Sequence, residues 1–188
     1  MEELVKSNAL RAVAVAGIAV LAAGLPAVTA QASPPETDKG AVTSHEEGHI
    51  LSCLGQAGDR SVMVDLYENS LYGSFAQVNV EGPDGEYSGG SNPARIFDNG
   101  SVAVDVPVRH VSAGGEGAGT ATVRGAYAPT GESTRTHNVY REPTWVVVSR
   151  GVHRQLSSSL SVSVLGERAS LSCQPALEYD LTVTRTPM

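Results

Sequence analysis

The sequence has little positive charge, few aromatic residues and almost no cysteine. Its 188 residues include 13 Lys and Arg against 20 Asp and Glu, which gives a formal net charge of -7, and only two cysteines. A nucleic-acid binder needs a basic surface to neutralise phosphates, so this charge balance excludes that class. Two cysteines are too few for a Cys-rich zinc module or a dense disulfide scaffold. The composition therefore predicts one soluble, acidic domain.

One long hydrophobic run is present, near the N-terminus. Residues 12–25 carry no charge, two basic residues precede them, and the stretch 26–32 that follows begins with proline and is rich in small residues. The run is shorter than the ~20 apolar residues of a transmembrane helix and has the layout of a secretory signal peptide. We predict such a peptide over residues 1–32, ending in the cleavage pattern Ala30-Gln31-Ala32. Because no cysteine follows the run for lipid attachment, we expect a secreted, extracellular protein.

The rest of the chain divides into a short polar segment and a longer domain. Residues 33–44 contain two adjacent prolines and no apolar periodicity, which is typical of a flexible tether. Residues 45–188 form the predicted single β domain, which is long enough to bury one core. The predicted leader contains two basic and two acidic residues, so its removal leaves the net charge unchanged.

Both cysteines lie in this domain. Cys53 and Cys173 each end the same local string, Leu-Ser-Cys. A disulfide is the default state of such a pair outside the cell, and we predict one between them. Since bridging requires the two Cα atoms to lie within ~7 Å, the first and last parts of the domain must be neighbours.

Apolar and polar residues alternate along most of the domain. Val62, Val64 and Leu66 share one face of a predicted strand, and in residues 156–165 three serines alternate with apolar residues. Outside the leader we find no window with a helical apolar period. We therefore predict an all-β fold of about ten short strands, arranged as an antiparallel barrel or a two-layer sandwich. The strands are predicted at residues 49–53, 61–67, 74–81, 94–98, 101–108, 120–127, 134–141, 145–149, 156–165, 169–174 and 181–186.

The clearest local signal is a hairpin around Asn99-Gly100. This dipeptide readily adopts the positive φ values of a two-residue type I′ turn. Such a turn fixes the strand register, and it places Phe97 opposite Val102 and Arg95 opposite Val104.

Residues 45–49, His-Glu-Glu-Gly-His, satisfy H-E-x-x-H, the signature of zinc peptidases. In that signature two imidazoles one helical turn apart bind zinc and the glutamate, here Glu46, is the general base. A helix is needed to bring His45 and His49 together, but Gly48 disfavours a helix and the residues after it have a strand pattern. No third ligand follows at the expected spacing. We expect a polar domain edge here, with a zinc peptidase as the alternative and a weaker metal site of the two histidines as another.

Other sequence patterns that could indicate catalysis or ligand binding are weaker than the H-E-x-x-H segment. The Ser-Gly-Gly at Ser88 is similar to that of chymotrypsin-like nucleophiles, but too few residues precede it to build the barrel that presents His and Asp. The six tyrosines and Trp145 are assigned to the core rather than to a ligand cavity. Four carboxylates could pair for acid-base chemistry, but they are more simply explained as solvated side chains. They are Asp65, Glu68, Asp105 and Asp180. We therefore assign no catalytic residue, no metal ligand and no cofactor.

Three features also occur together: the segment 66–73, Leu-Tyr-Glu-Asn-Ser-Leu-Tyr-Gly, the two Leu-Ser-Cys strings, and the hairpin at 94–100. With them the chain resembles small secreted actinobacterial proteins of unknown function. The resemblance implies export and a two-cysteine β domain, and it supplies no catalytic residues. The chain differs from the antitumour chromoprotein carriers and subtilisin inhibitors of such bacteria, which use two disulfides where this chain can form one.

Together these features predict a non-enzymatic extracellular β domain that binds a small ligand or an extracellular partner. We expect binding through the loops at residues 87–92 and 110–119, the second of which contains four glycines. We expect no nucleic-acid partner, and no membrane association after cleavage of the signal peptide.

Overall fold

A computed structural model of the protein describes residues 40–112 and 117–188, which form nine β-strands and no helix. The predicted all-β class is therefore confirmed. The predicted signal peptide and most of the predicted tether lie outside the described residues. The strands are β1 (Val42–Ala57), β2 (Arg60–Asn69), β3 (Gly73–Gly82), β4 (Gly85–Ser91), β5 (Phe97–Asp98), β6 (Ser101–His110), β7 (Gly117–Arg141), β8 (Trp145–Val164) and β9 (Glu167–Pro187).

All nine strands belong to one antiparallel sheet with the order β4-β3-β2-β1-β9-β8-β7-β6-β5. Two meanders, β1 to β4 and β6 to β9, are joined side by side because the first strand pairs with the last. At the far ends β4 also pairs with β6, through Tyr87 with His110 and Ser88 with Arg109. The sheet therefore curls until its two ends meet, which gives a barrel-like shape around one core.

The core consists of the inward-facing residues of this curled sheet. The three residues predicted to share a face in β2, Val62, Val64 and Leu66, are all at most 1% exposed. Leu160, Val162 and Val164 of β8 are also buried, while the serines that alternate with them, at 159, 161 and 163, stay on the outer side. Period-two alternation thus identified the buried face correctly, because each strand has one face in the core and one in water.

The Asn99-Gly100 hairpin forms as predicted at its turn. Both residues have positive φ, 46° and 81°, and Phe97 pairs with Val102. The predicted pairing of Arg95 with Val104 does not form, since β5 contains only two residues. The chain joins the sheet only at Phe97, two residues after Arg95, and the turn alone fixes the register.

Several strands are longer than predicted. Pairs of segments that we predicted as separate strands merge into β7, β8 and β9, because the chain continues through register shifts instead of ending. One shift lies beside the disulfide, where Leu51 pairs with Ala176 and Cys53 with Cys173, so that Ser52 lies opposite two residues. The cause is physical: a β-bulge absorbs an extra residue and bends a strand without ending it.

Four of these strands continue together beyond the rest of the sheet. β2 pairs with β1 only from Gly48 onward, and β6 pairs with β7 only as far as Ala126. We call the continuation the arm: residues 42–47 of β1, 133–141 of β7, 145–155 of β8 and 177–187 of β9. β1 begins at Val42, so residues 42–44, predicted as part of the tether, are paired with β9 in the arm.

Candidate functional site

The interior of the curled sheet is filled by side chains. The core of valines, leucines, alanines, Ile96 and Phe97 is buried throughout, and every buried polar side-chain atom of the described residues has a hydrogen-bond partner. Two open depressions of about 260 and 300 Å³ lie on the outer surface, where Arg168 lines both of them. The candidate sites therefore lie on the surface, and chiefly on the arm.

The H-E-x-x-H segment lies entirely within β1. Residues four apart on a strand are separated by about 13 Å, whereas zinc needs each imidazole nitrogen about 2.1 Å away. His45 and His49 point to the same side of the strand, but they are too far apart to share one metal ion. A zinc peptidase, or a metal site of these two histidines, requires both imidazoles to reach one ion. In this strand they do not.

Glu46, the general base of the peptidase interpretation, is a buried structural group. It is only 7% exposed. Its Oε1 accepts hydrogen bonds from the Arg185 guanidinium at 3.3 Å and from the Ser44 hydroxyl at 3.1 Å. Its Oε2 accepts one from the Asn69 amide at 3.2 Å. These bonds connect β1 to β9 and to the end of β2, so we assign Glu46 a role in holding the base of the arm together.

His49 packs at the boundary between the arm and the core. Its ring stacks on Phe97 at a centroid distance of 4.7 Å and meets the edge of Tyr127 at 5.3 Å. Burial lowers the pKa of His49, and the nearby carboxylates of Glu178 and Glu68 offset this in part. His49 is thus a packed aromatic group and not a free metal ligand.

His45 makes a different set of contacts. Its Nε2 donates a hydrogen bond to Glu47 Oε1 at 3.2 Å and lies 3.7 Å from Asp180 Oδ1. Glu47 and Asp180 are direct partners in the pairing of β1 with β9. One ligand atom from each of the three side chains lies within 4.8 Å of the other two. The structure therefore groups one histidine with two carboxylates on the surface of the arm.

Arg154 of β8 continues this charged face. Its guanidinium donates to Glu178 Oε1 at 2.9 Å and lies 3.7 Å from Asp180 Oδ2. The two oxygens of Asp180 thus have different neighbours, His45 on one side and Arg154 on the other.

The disulfide predicted between Cys53 and Cys173 is present, and it joins β1 to β9 inside the sheet. The two strands that it connects are the ones that carry His45, Glu47 and Asp180. It therefore holds together the two strands that form the candidate site.

The other residues considered from the sequence serve the fold. Ser88 donates a hydrogen bond to Asn79 at 2.6 Å on a neighbouring strand, so it is not arranged as a nucleophile. Glu68 accepts hydrogen bonds from the backbone of Ile96 and Phe97. Asp65 accepts one from Ser52, and Asp105 pairs with Arg124. Of the four carboxylates, Asp180 alone joins a cluster with a histidine and a second carboxylate.

Most of the described residues in the two loops that we expected to bind a ligand or partner belong to strands. Residues 87–91 belong to β4, and His110 ends β6, where its ring lies edge-on to Tyr87 at 4.8 Å. The stretch 113–116 of the second loop lies outside the described residues.

Sequence reasoning missed the outer edge of β7. Residues 133–141 pair with β8 on one side, and no described strand pairs with them on the other. Two apolar side chains on this edge are half exposed, Val139 at 56% and Tyr140 at 49%. Arg135 and Arg141 are also exposed and form no ion pair within the described part of the chain. The signal available in the sequence was the segment Thr-His-Asn-Val-Tyr between two arginines, in which Thr136, Val139 and Tyr140 favour a strand.

Among the residues that the structure describes, no helix has the length and apolarity to cross a membrane. Comparison with known proteins gives no relative: no family model, no curated protein and no solved structure matches this chain.

Proposed function

We propose that the protein is a secreted, non-enzymatic domain that binds an extracellular partner protein by accepting an extended segment of that partner on the outer edge of β7. The observation that carries this proposal is the outer row of backbone N–H and C=O groups at residues 133–141, on the side away from β8, where no described strand pairs with them. An edge of this kind is a template for an added strand. Nine residues span roughly 30 Å, which is enough for a specific segment of similar length.

Charge favours an acidic segment. The chain as a whole is acidic, yet residues 133–141 contain two arginines and no carboxylate. Glu132 and Glu142 flank the segment, so the positive charge is confined to the edge itself. A strand that carries Asp or Glu opposite Arg135 and Arg141 would gain cross-strand ion pairs, while Val139 and Tyr140 offer apolar contact.

Three features support the rest of the proposal. The disulfide is buried in the sheet, with Cys53 only 1% exposed, which suits a protein of an oxidising compartment. The packed interior leaves binding to the surface. The strand geometry of His45 and His49 disfavours the peptidase alternative, so binding without catalysis fits the described residues best.

A selection experiment tests the proposal. Random 12-residue peptides are selected on the disulfide-bonded protein obtained by secretion of the full chain, and the selected sequences are synthesised and titrated. We expect peptides enriched in Asp and Glu. Charge reversal at Arg135 and Arg141 together should weaken their binding about tenfold or more, because two attractive contacts become repulsive.

The matched control is Arg168→Glu, an exposed arginine of β9 outside the arm. It should leave binding unchanged, since it lowers the net charge without touching the β7 edge. Equal binding by the wild type and the Arg135→Glu/Arg141→Glu variant would contradict the proposal, and so would a selection that yields no peptide above background.

A further inference from the structure

A second candidate site lies on the arm, away from the β7 edge, and is formed by His45, Glu47 and Asp180. His45 and Glu47 are two residues apart on β1, so their side chains leave the same face of the strand. Asp180 lies directly opposite Glu47 on β9. We propose that these three side chains bind a first-row divalent metal cation such as Zn²⁺.

The separations match those of metal ligands. Two donor atoms that bind one zinc ion in tetrahedral geometry, each about 2.1 Å from the metal, lie ~3.4 Å apart. In the protein His45 Nε2 lies 3.2 Å from Glu47 Oε1 and 3.7 Å from Asp180 Oδ1. The two separations that involve His45 are thus within a few tenths of an ångström of a coordinating arrangement, and all three donor atoms lie within 4.8 Å of one another. The two backbone segments are fixed by the β1–β9 ladder, so binding requires side-chain adjustment alone.

A cationic residue lies beside one of the carboxylates. Arg154 is 3.7 Å from Asp180 Oδ2, which is an ion-pair distance, while Oδ1 faces His45. Arg154 donates its 2.9 Å hydrogen bond to Glu178 instead. The oxygen of Asp180 on the side of His45 is therefore the one available to an ion.

The local charge also suits a divalent ion. When His45 is neutral, as a metal ligand must be, Glu47, Glu178 and Asp180 carry three negative charges and Arg154 one positive charge. Two negative charges then stay unbalanced, which equals the charge of the proposed cation.

The donor set selects the class of metal. One imidazole nitrogen and two carboxylate oxygens suit zinc and its first-row neighbours, whereas calcium prefers six to eight oxygen ligands and magnesium keeps several waters. Three protein ligands leave coordination positions free, and the cluster is exposed, with His45 60% and Glu47 63% accessible. The site would therefore bind a labile ion with water in the open positions, and the ion would bridge β1 to β9.

The test is a titration of the metal-free, untagged protein with zinc chloride, followed by calorimetry and by the imidazole NMR signals. We expect one zinc ion per chain and a selective shift of the His45 ring signals. His45→Gln and Asp180→Asn should each weaken binding about tenfold or more, as loss of one ligand does. Calcium chloride in excess should not displace the zinc.

His137→Gln provides the matched control, because His137 is an exposed histidine of the arm on another strand, outside the cluster. It should bind zinc like the wild type. The variants change exposed side chains, and circular dichroism verifies that they fold. Absence of saturable binding to the wild type, or equal binding by the wild type and His45→Gln, would overturn the proposal. Neither result would bear on the β7 edge, which shares no residue with this cluster.

Discussion

Cys53 and Cys173 lie directly opposite each other in the pairing of β1 with β9, with their Cα atoms 3.9 Å apart. The bond therefore closes a loop across 120 positions of sequence and joins the first strand of the sheet to the last. The β1–β9 pairing unites the two meanders and carries the base of the arm. The same bond thus constrains both the fold and the candidate metal site.

Reduction of this disulfide should lower the free energy of unfolding by about 2 to 5 kcal/mol, because a long closed loop restricts the unfolded chain. Urea unfolding with and without dithiothreitol measures the difference. The Cys53→Ala/Cys173→Ala variant should unfold at the reduced midpoint, and dithiothreitol should not change it. A midpoint that is the same in all four samples would show that the bond contributes no stability.

Gly48→Ala should destabilise the protein by about 2 kcal/mol or more, since overpacking forces neighbouring groups apart. A Cβ at this position would collide with the Glu68 carbonyl and with the Tyr179 ring, which crosses the strand there. Gly90→Ala in β4 is the control, because a Cβ at Gly90 would make only ordinary contact with Phe75. Thermal unfolding of both variants measures the effect, and equal melting temperatures would contradict the packing that we describe.

Glu46→Ala should lower the free energy of unfolding by about 1 to 3 kcal/mol, because it leaves buried hydrogen-bond donors without their acceptor. Asn69 would lose one of its hydrogen-bond partners, and Arg185 its ion pair. Glu47→Ala, measured in the same metal-free buffer, removes an exposed carboxylate from the adjacent position and should change stability by less than about 0.5 kcal/mol. Chemical unfolding in urea distinguishes the two. If both variants were equally stable, Glu46 would not be the structural group that its contacts indicate.

His49 should make stability depend on pH below neutrality. Its pKa is lowered in the folded protein, chiefly by burial, so the folded state binds its proton less readily than the unfolded state. The contribution of His49 to stability is present above the unfolded pKa of about 6.5 and is lost as the pH falls from that value through the lower pKa of the folded state. His153 has its pKa lowered in the same direction, so part of the dependence belongs to that residue.

The midpoints of urea unfolding at pH 7.5 and pH 5.5 test this dependence of stability on pH. His49→Gln removes the titrating ring, so the difference between the two midpoints should become smaller than in the wild type. His137→Gln, at an exposed position, should retain the wild-type difference. An unchanged difference in His49→Gln would show that protonation of His49 does not oppose folding.

The core could be predicted from the sequence because each strand contributes one buried face. Alternation in β2, β3 and β8 indicated buried residues such as Val64, Val78 and Val162, all of which are 0% exposed. The Asn99-Gly100 turn was equally predictable, since few dipeptides adopt two positive φ values in succession.

β4 could not be predicted, because Gly-rich segments have weak strand propensity. Its glycines are explained by tertiary contacts: a Cβ at Gly89 would collide with the Pro107 carbonyl of β6, where the two ends of the sheet approach each other. The segment that we expected to be a binding loop is thus the place where the sheet meets itself.

The candidate metal site depends on a bulge that the sequence does not locate. An unbroken antiparallel pairing from Cys53 and Cys173 would place Glu47 opposite Tyr179. The register shift after the disulfide moves the pairing by one residue, so that Glu47 lies opposite Asp180 instead. A slip of one residue exchanges the two faces of a strand, and for this reason the cluster appears only in the structure.

Backbone hydrogen exchange along β7 shows whether a partner segment adds to the outer edge of this strand. The disulfide-bonded protein is compared alone and with a saturating acidic peptide from the selection, and exchange is followed at residues 133–141. We expect the outward-facing amides in this segment to exchange rapidly in the free protein and to become protected in the complex, because an added strand accepts their hydrogen bonds. Peptide binding that leaves the exchange of residues 133–141 unchanged, and protects another surface, would contradict the proposal.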